Sequence, residues 1–394
     1  MSEHQPISVW QRLFAFGLVL ALIIFTWQLG SIGEGRDLSF SLALGILFGI
    51  TLQRSRFCFF CMTRDFIDKR DARGLLGLIV ALAVGSLGYI AIFGAMLPIP
   101  APGRLPPDAH IGPISWVLAL AALVFGTGMS ISGSCISAHL YRLGEGATAS
   151  LFALIGVLLG FIAGFQTWNY FYLNVIQAAP VVWLPNYLGY GGTLLLQLFV
   201  FAIIAFLLTR LHKNPATQTR EQQHKFFVSF FEQRWPTYIG GLLIGFLATI
   251  AFFRIAPLGV TAELGSIART FGSTWQLLPE RLEGLDTFTG CATVIKETLF
   301  SNNGLFILGL VIAAWASAIF AGQFKPELPG LKQILRNISG GILMGWGAMT
   351  ALGCTVGTLL SGIMAGALSG WVFALFCLLG LWGTWLVRRA FLPR

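Results

Sequence analysis

The sequence predicts an all-α polytopic membrane protein, with inverted-topology repeats and short re-entrant helices around a central pathway. Three observations carry this. Of 394 residues, 56% are hydrophobic and 10% charged, and the mean hydropathy is +0.78, which leaves too little polar surface for a water-soluble globule. Apolar tracts near the length of about 20 residues that a bilayer core requires recur from end to end. A glycine-marked stretch of fourteen residues also occurs four times.

The spans follow in order. Residues 12–30 form a tract too long and too poorly flanked for a secretory signal, with no small-x-small cleavage site, so it reads as a helix. A short tract at 39–53 leads to full spans at 74–98, 113–131, 147–167 and 190–211. The second part supplies 235–257, 304–322, a short tract at 338–353, and 365–387, for ten in all. The expected organisation is an N-terminal helix in 1–38, a first repeat half in 39–167, a connecting loop, extra helix and linker in 168–234, and a second half in 235–394.

The net charge of +9 reports orientation rather than nucleic-acid binding, because Lys and Arg gather on the cytoplasmic side of polytopic proteins. Basic residues concentrate in 54–73, 209–234, 325–336 and the C-terminal tail. Placing all of these inside puts both termini in the cytoplasm. It leaves the charge-free, aromatic stretch 168–190 outside.

The repeats are GILFGITLQRSRFC (45–58), ALVFGTGMSISGSC (122–135), GLLIGFLATIAFFR (241–254) and GILMGWGAMTALGC (341–354), which align without gaps. Their fifth residue is always glycine, at Gly49, Gly126, Gly245 and Gly345. Their last is Cys58, Cys135, Arg254 and Cys354, so three of the six cysteines share one repeat position. Cys61 and Cys291 each stand thirteen residues before the glycine that opens a long tract, Gly74 and Gly304. An odd number of spans between the halves reverses the second, which makes the repeats inverted. Inverted repeats with short, glycine-interrupted segments point to a transport site near the midplane. Glycine allows close helix packing, and LGCTVG followed by TLLSGIMAG suits a half-span that turns back. Such a break is tolerated at membrane depth where protein or a watery cavity satisfies the backbone, and the helix N-termini it frees attract anions.

GCTVGTLLSGI (353–363), SGSCISAHLYRLGEG (132–146) and QRSRFCFFCMTRD (53–65) resemble the signatures of the YeeE/YedE family of bacterial inner-membrane sulfur-compound transporters. The length and the extra N-terminal helix are more like the YedE branch. The resemblance implies an hourglass of inverted repeats that takes up thiosulfate in the YeeE branch, or serves selenium metabolism in the YedE branch. It implies no cofactor. As partners it implies the small anion, the lipid bilayer and a cytoplasmic sulfur-carrier protein of the TusA type. The family's relay cysteines match Cys135, Cys291 and Cys354; TGCATVIKETLF around Cys291 departs from the first half's pattern.

The chemistry fits thiols. A small sulfur dianion must shed water without being trapped; full positive charges would hold it too tightly, whereas each S–H is a weak donor and a polarisable partner. Conduction needs binding favourable enough to enter and weak enough to leave. The substrate pathway therefore includes Cys135, Cys354, Cys291, Cys58 and Cys61. Cys377, in an apolar run without a repeat partner, reads as packing. Arg254 stands at a cysteine-equivalent position, either as a functional intramembrane charge or as an arginine snorkelling to the interface. His139, one helical turn after Cys135, reads as hydrogen-bonded rather than as a metal ligand. The dipeptides Arg64–Asp65 and Lys296–Glu297 are expected to find separate partners. No nucleotide, zinc-protease or serine-hydrolase motif occurs, so the chain is not read as an enzyme. The rival reading is a membrane thiol oxidoreductase using the Cys58/Cys61 pair.

Overall fold

The computed structural model describes residues 9–32, 35–101, 103–213, 233–285, 293–296 and 300–391. Among these, the chain is helical with only isolated bridges in place of strands. Helices α1 (Val9–Ser31), α2 (Arg36–Ser55), α3 (Phe59–Lys69), α4 (Arg73–Met96), α5 (Trp116–Ser132), α6 (Ile136–Gly144), α7 (Ala149–Phe171) and α8 (Pro185–Leu211) fill the first part. The second part holds α9 (Thr237–Arg254), α10 (Thr261–Thr274), α11 (Asn302–Phe320), α12 (Leu331–Thr350), a π-helical segment (Thr355–Ser361) that ends in one further turn, and α13 (Leu368–Phe391). Nine described helices are long and apolar enough to cross a membrane, or ten if α12 and the segment after it, bent by 45°, count as one span.

Local chemistry sets the ends. Ser115 caps α5 by accepting from the Leu118 N–H at 3.3 Å, Ser301 caps α11 by accepting from the Gly304 N–H at 3.0 Å, and Pro185 opens α8, as these residue types favour. Helices α1 and α8, which lie outside the repeats, are the least buried of the spans; α1 rests on α2 and α11, α8 on α4. Their exposed Trp10, Trp27, Leu195 and Phe199 present apolar faces outward, as lipid-facing helices do.

The interior is built on the repeated glycines. A Cβ added at Gly49 would fall on the Leu310 carbonyl oxygen, at Gly126 on that of Cys377, and at Gly345 on that of Val157; at Gly245 it would lie 2.7 Å from the Ala81 oxygen. The signature glycine therefore meets a neighbouring backbone in every repeat. The resulting partners are α2 with α11, α9 with α4, α5 with α13, and α12 with α7. Exchanging the two halves converts the first pair into the second and the third into the fourth. Along α2 and α11, Gly45 meets Phe306 and Gly49 meets Leu310; along α4 and α9, Gly77 meets Thr237 and Gly88 meets Thr249, so both pairs are parallel. Helices α5 and α12 cross antiparallel, with Gly128 against Gly340 and Gly347 against Ala121.

Two faces result. On one, the Lys213 N–H donates to the Arg70 carbonyl at 3.1 Å, the Trp235 N–H to that of Arg54 at 3.0 Å, and the Arg388 guanidinium to that of Ser130 at 3.0 Å. This is the basic face. On the other, the Ile114 N–H donates to the Pro180 carbonyl at 2.9 Å, the Leu368 N–H to that of Val182 at 3.1 Å, and the Trp183 indole to that of Ala365 at 2.8 Å. The aromatic stretch after α7 lies on this opposite face.

Candidate functional site

Three of the four repeats end in the same local structure. Helix α2 is capped by Arg56 in the left-handed conformation (φ 49°), α5 by Gly133 (φ 85°), and α12 is followed by Leu352 (φ 56°). Two residues later comes the shared cysteine, which is in each case the N-cap of a short helix: Cys58 for α3, Cys135 for α6 and Cys354 for the π-helical segment. All three are 1% exposed and free. Leu352 supplies the left-handed turn, and Gly353 (φ 157°) follows it in a backbone conformation that side-chain-bearing residues rarely adopt, with space closed as well, since its Cβ would fall on the Thr358 hydroxyl.

The breaks bring the thiols together. Cys58 Sγ lies 3.8 Å from Cys135 Sγ, and Cys135 Sγ lies 3.3 Å from Ser137 Oγ. The Cys61 N–H donates to Cys58 Sγ at 3.5 Å. Cys354 sits beside the Thr261 side chain and the Val356 and Gly357 backbone. A cavity of about 30 Å³, with room for a water or two, is lined by Phe57, Phe59, Cys135, Ser137, Thr355 and Val356, so it touches Cys135 directly and Cys354 through the next residue. A second small cavity, about 20 Å³, lies under the opposite face against Ala351, Leu352 and Thr358.

Toward the basic face the thiols open into a vestibule of about 620 Å³, with Cys61 in its wall and Arg56, Arg64, Arg73, Arg142 and Arg234 around it. Arg64 pairs with Asp65 at 3.0 Å and Arg73 with Asp71 at 2.7 Å; Arg73 holds the Asp71 carboxyl below the usual carboxylate range. Burial, and after it neighbouring Arg56, push Arg234 down to about 10, so it is still charged at neutral pH. Glu145 at the end of α6 is raised by burial; Gln53 donates to it at 3.3 Å and to Gln323 at 3.0 Å. The vestibule therefore concentrates positive charge, and among the described residues the guanidinium that reaches toward the thiols beyond it is that of Arg142, which donates to the Ser134 hydroxyl at 2.5 Å.

Other sequence expectations sort differently. Arg254 is not a counterpart of the cysteines in space. Helix α9 extends as far as Arg254 and ends there, with no left-handed residue two places earlier to turn the chain, and Arg254 is exposed with its guanidinium 5.7 Å from the Phe40 ring centroid. The fourth short helix, α10, begins seven residues later at Thr261. Arg64 and Asp65 pair with each other rather than separately, since the long guanidinium arm reaches back over its neighbour. Lys296 does find a distant partner, Glu263 on α10, which is 2% exposed and also accepts from the Ser301 hydroxyl at 3.0 Å. His139 is buried, with Nδ1 3.2 Å from the Ser150 hydroxyl. No metal-ligating cluster occurs among the described residues. Cys377 is buried in α13 under Gly126. Cys291 lies outside the described residues, as does Glu297. Sequence reasoning missed Thr261, Ser137 and Glu263; a hydroxyl at a repeat break was the available signal for the first.

The Sulphur transport family matches residues 54–383. The thiosulfate transporter TsuA of Spirochaeta thermophila is 29% identical over 88% of this chain and 98% of its own. The protein of the same name from Escherichia coli is 25% identical over 88% of this chain and 93% of its own. The probable transporter YedE of Escherichia coli is more alike where it matches, at 35% identity, but over 41% of this chain and 38% of its own length.

Proposed function

The chain belongs to the Sulphur transport (YeeE/YedE) family of membrane transporters and is not an enzyme, and on that premise we propose that it carries thiosulfate across the bacterial inner membrane along its cysteine thiols. One observation supports this reading: three cysteines, each capping a short helix at a repeat break, stand beside a wide basic vestibule and two water-sized cavities.

The mechanism follows from that arrangement. A dianion arriving from the opposite face meets Cys354 at the start of the π-helical segment, where backbone N–H groups and the helix N-terminus favour negative charge. Cys135 and Cys58 stand next, one small cavity away, and offer the same weak donors at two more helix N-termini. Each site exchanges part of the hydration shell for polarisable sulfur without a fixed cation, so no step forms a deep well. Cys61 then delivers the anion to the vestibule, where guanidinium groups draw it out. Cys291, in the matching short segment of the second half, completes the series on the family resemblance.

The inverted-repeat reading supports alternating use of the two halves; it draws on the exchange-related helix pairs and on the antiparallel crossing of α5 and α12. The basic face is taken as cytoplasmic by its Lys and Arg content, which puts both termini inside. There a carrier of the TusA type accepts the sulfur compound.

Radiolabelled uptake in cells lacking other sulfur importers, with unlabelled thiosulfate, sulfate and selenite competing, tests the substrate. Competition by thiosulfate alone supports the proposal. Competition by selenite but not thiosulfate replaces the substrate with a selenium oxyanion, and absence of uptake of either removes the proposal.

A further inference from the structure

Transport along neutral thiols explains single cysteines at single breaks, but not why two thiols from different repeats should touch while a third stands behind them in the vestibule wall. Cys58 and Cys135 belong to separate short helices 77 residues apart in sequence, yet their sulfurs are 3.8 Å apart. A disulfide bond spans about 2.05 Å, so joining them requires each side chain to move by about half the difference. Both residues are N-caps in extended backbone, Cys58 at φ −140° and Cys135 at φ −80°, and neither is held inside a helical turn. Cys61, in the first turn of α3, is half-buried and lines the vestibule, and its N–H already touches Cys58 sulfur. Arg56 and Arg234 stand at the same cavity, which is far larger than a small oxyanion needs and admits an anionic peptide-sized molecule.

We propose that Cys58 and Cys135 form an oxidative modification site, a reversible disulfide made by an anionic low-molecular-weight disulfide that reacts through Cys61. The vestibule arginines collect the anionic disulfide, written R–S–S–R. Cys61, as thiolate, attacks one sulfur and releases R–S⁻, leaving Cys61–S–S–R. Cys58 attacks the Cys61 sulfur and releases the second R–S⁻, and Cys135 then attacks Cys58 and regenerates the Cys61 thiolate. In sum, two protein thiols and one R–S–S–R give one protein disulfide and two R–SH. The electron pair lost by Cys58 and Cys135 goes to the small disulfide, and so do their two protons. Such exchange is ordinary thiol chemistry and is reversed by excess small thiol. The product ties α3 to α6 across the route and removes two S–H donors from it. That consequence rests on the pathway reading above, whereas the bond itself does not.

Purified protein is treated with oxidised glutathione and mapped by peptide mass spectrometry without reduction; parallel proteoliposomes are assayed for thiosulfate uptake before and after dithiothreitol. The expected result is a Cys58–Cys135 linked peptide, uptake reduced to background, and recovery on reduction. Cys61→Ser should slow the link several-fold. The double variant Arg56→Gln, Arg234→Gln should slow it with oxidised glutathione but not with the neutral 2-hydroxyethyl disulfide. Finding no link, or only a Cys58–Cys61 link, overturns the inference and leaves the transport reading intact. An unchanged rate in Cys61→Ser overturns the route through the vestibule. A mapped Cys58–Cys135 link with full uptake overturns the closure and the thiol pathway together.

Discussion

Replacing Gly345 with alanine puts one methyl group where α12 meets α7. The added carbon would fall on the Val157 carbonyl oxygen and lie 2.9 Å from both the Val157 carbonyl carbon and the Phe161 nitrogen. All three are backbone atoms of a helix, so no side chain can swing aside, and α7 must shift along its main partner. Overpacking of this kind costs about 1–3 kcal/mol. Alanine returns about 0.8–1.0 kcal/mol through helix propensity, so the net loss is about 0–2 kcal/mol. The propensity gain is isolated by Gly383→Ala in α13, where nothing lies within 4 Å of an added Cβ; that variant should be stabilised by about 1 kcal/mol. The difference between the two alanine variants is thus the steric cost alone, about 1–3 kcal/mol. Thermal melting of the detergent-solubilised protein, followed by size-exclusion fluorescence, gives the order Gly383→Ala above wild type, wild type at or above Gly345→Ala, and Gly345→Leu lowest. Uptake should fall in the same order at position 345. If Gly345→Ala melts at or above Gly383→Ala, the packing argument for the repeated glycines is wrong.

His110, buried in the loop before α5 with its Nε2 unpartnered, is pushed down to about 4 by burial. A depressed histidine favours the neutral form when folded, so its contribution is complete above its ordinary value near 6.5 and is lost as pH falls from there toward 4; the span corresponds to about 3 kcal/mol. Melting temperature should drop over that window in wild type and drop less in His110→Gln; equal slopes would remove the assignment. Arg56→Gln with Arg234→Gln should slow uptake at low ionic strength, with the deficit shrinking as salt screens the vestibule; a salt-independent deficit would point to folding instead. Arg254→Ala should leave uptake within about twofold of wild type, since an exposed guanidinium stacked on a ring contributes about 0.5–1 kcal/mol. Complete loss of uptake would restore Arg254 to the pathway.

Most of the spans were legible because the bilayer imposes a length and a composition on them, and each apolar tract became a helix, with most ends within a few residues of the expected ones but α8 and α12 starting five and seven residues early, at Pro185 and Leu331. The glycines were legible for a related reason: a residue repeated at one position in four tracts marks a shared contact, and the contact is helix backbone in all four. The cysteine position carried its meaning because a left-handed residue two places earlier turns the chain at Arg56, Gly133 and Leu352. Alignment alone could not show that the fourth repeat lacks this turn. Helix α9 stays helical up to Arg254, its last residue, so the aligned residue ends up exposed while Thr261 takes the place beside Cys354. Nor could spacing reveal the Cys58–Cys135 contact or the pairing of Lys296 with Glu263, which depend on how the short helices of different repeats meet.

Thiosulfate uptake into proteoliposomes by Cys135→Ala and Cys354→Ala, set beside wild type at matched protein and intact size-exclusion profiles, tests the thiol pathway most directly. The account predicts that each single variant loses uptake while remaining folded, because a methyl group offers the anion no donor between the vestibule and the opposite face. Uptake at the wild-type rate by both folded variants would contradict it.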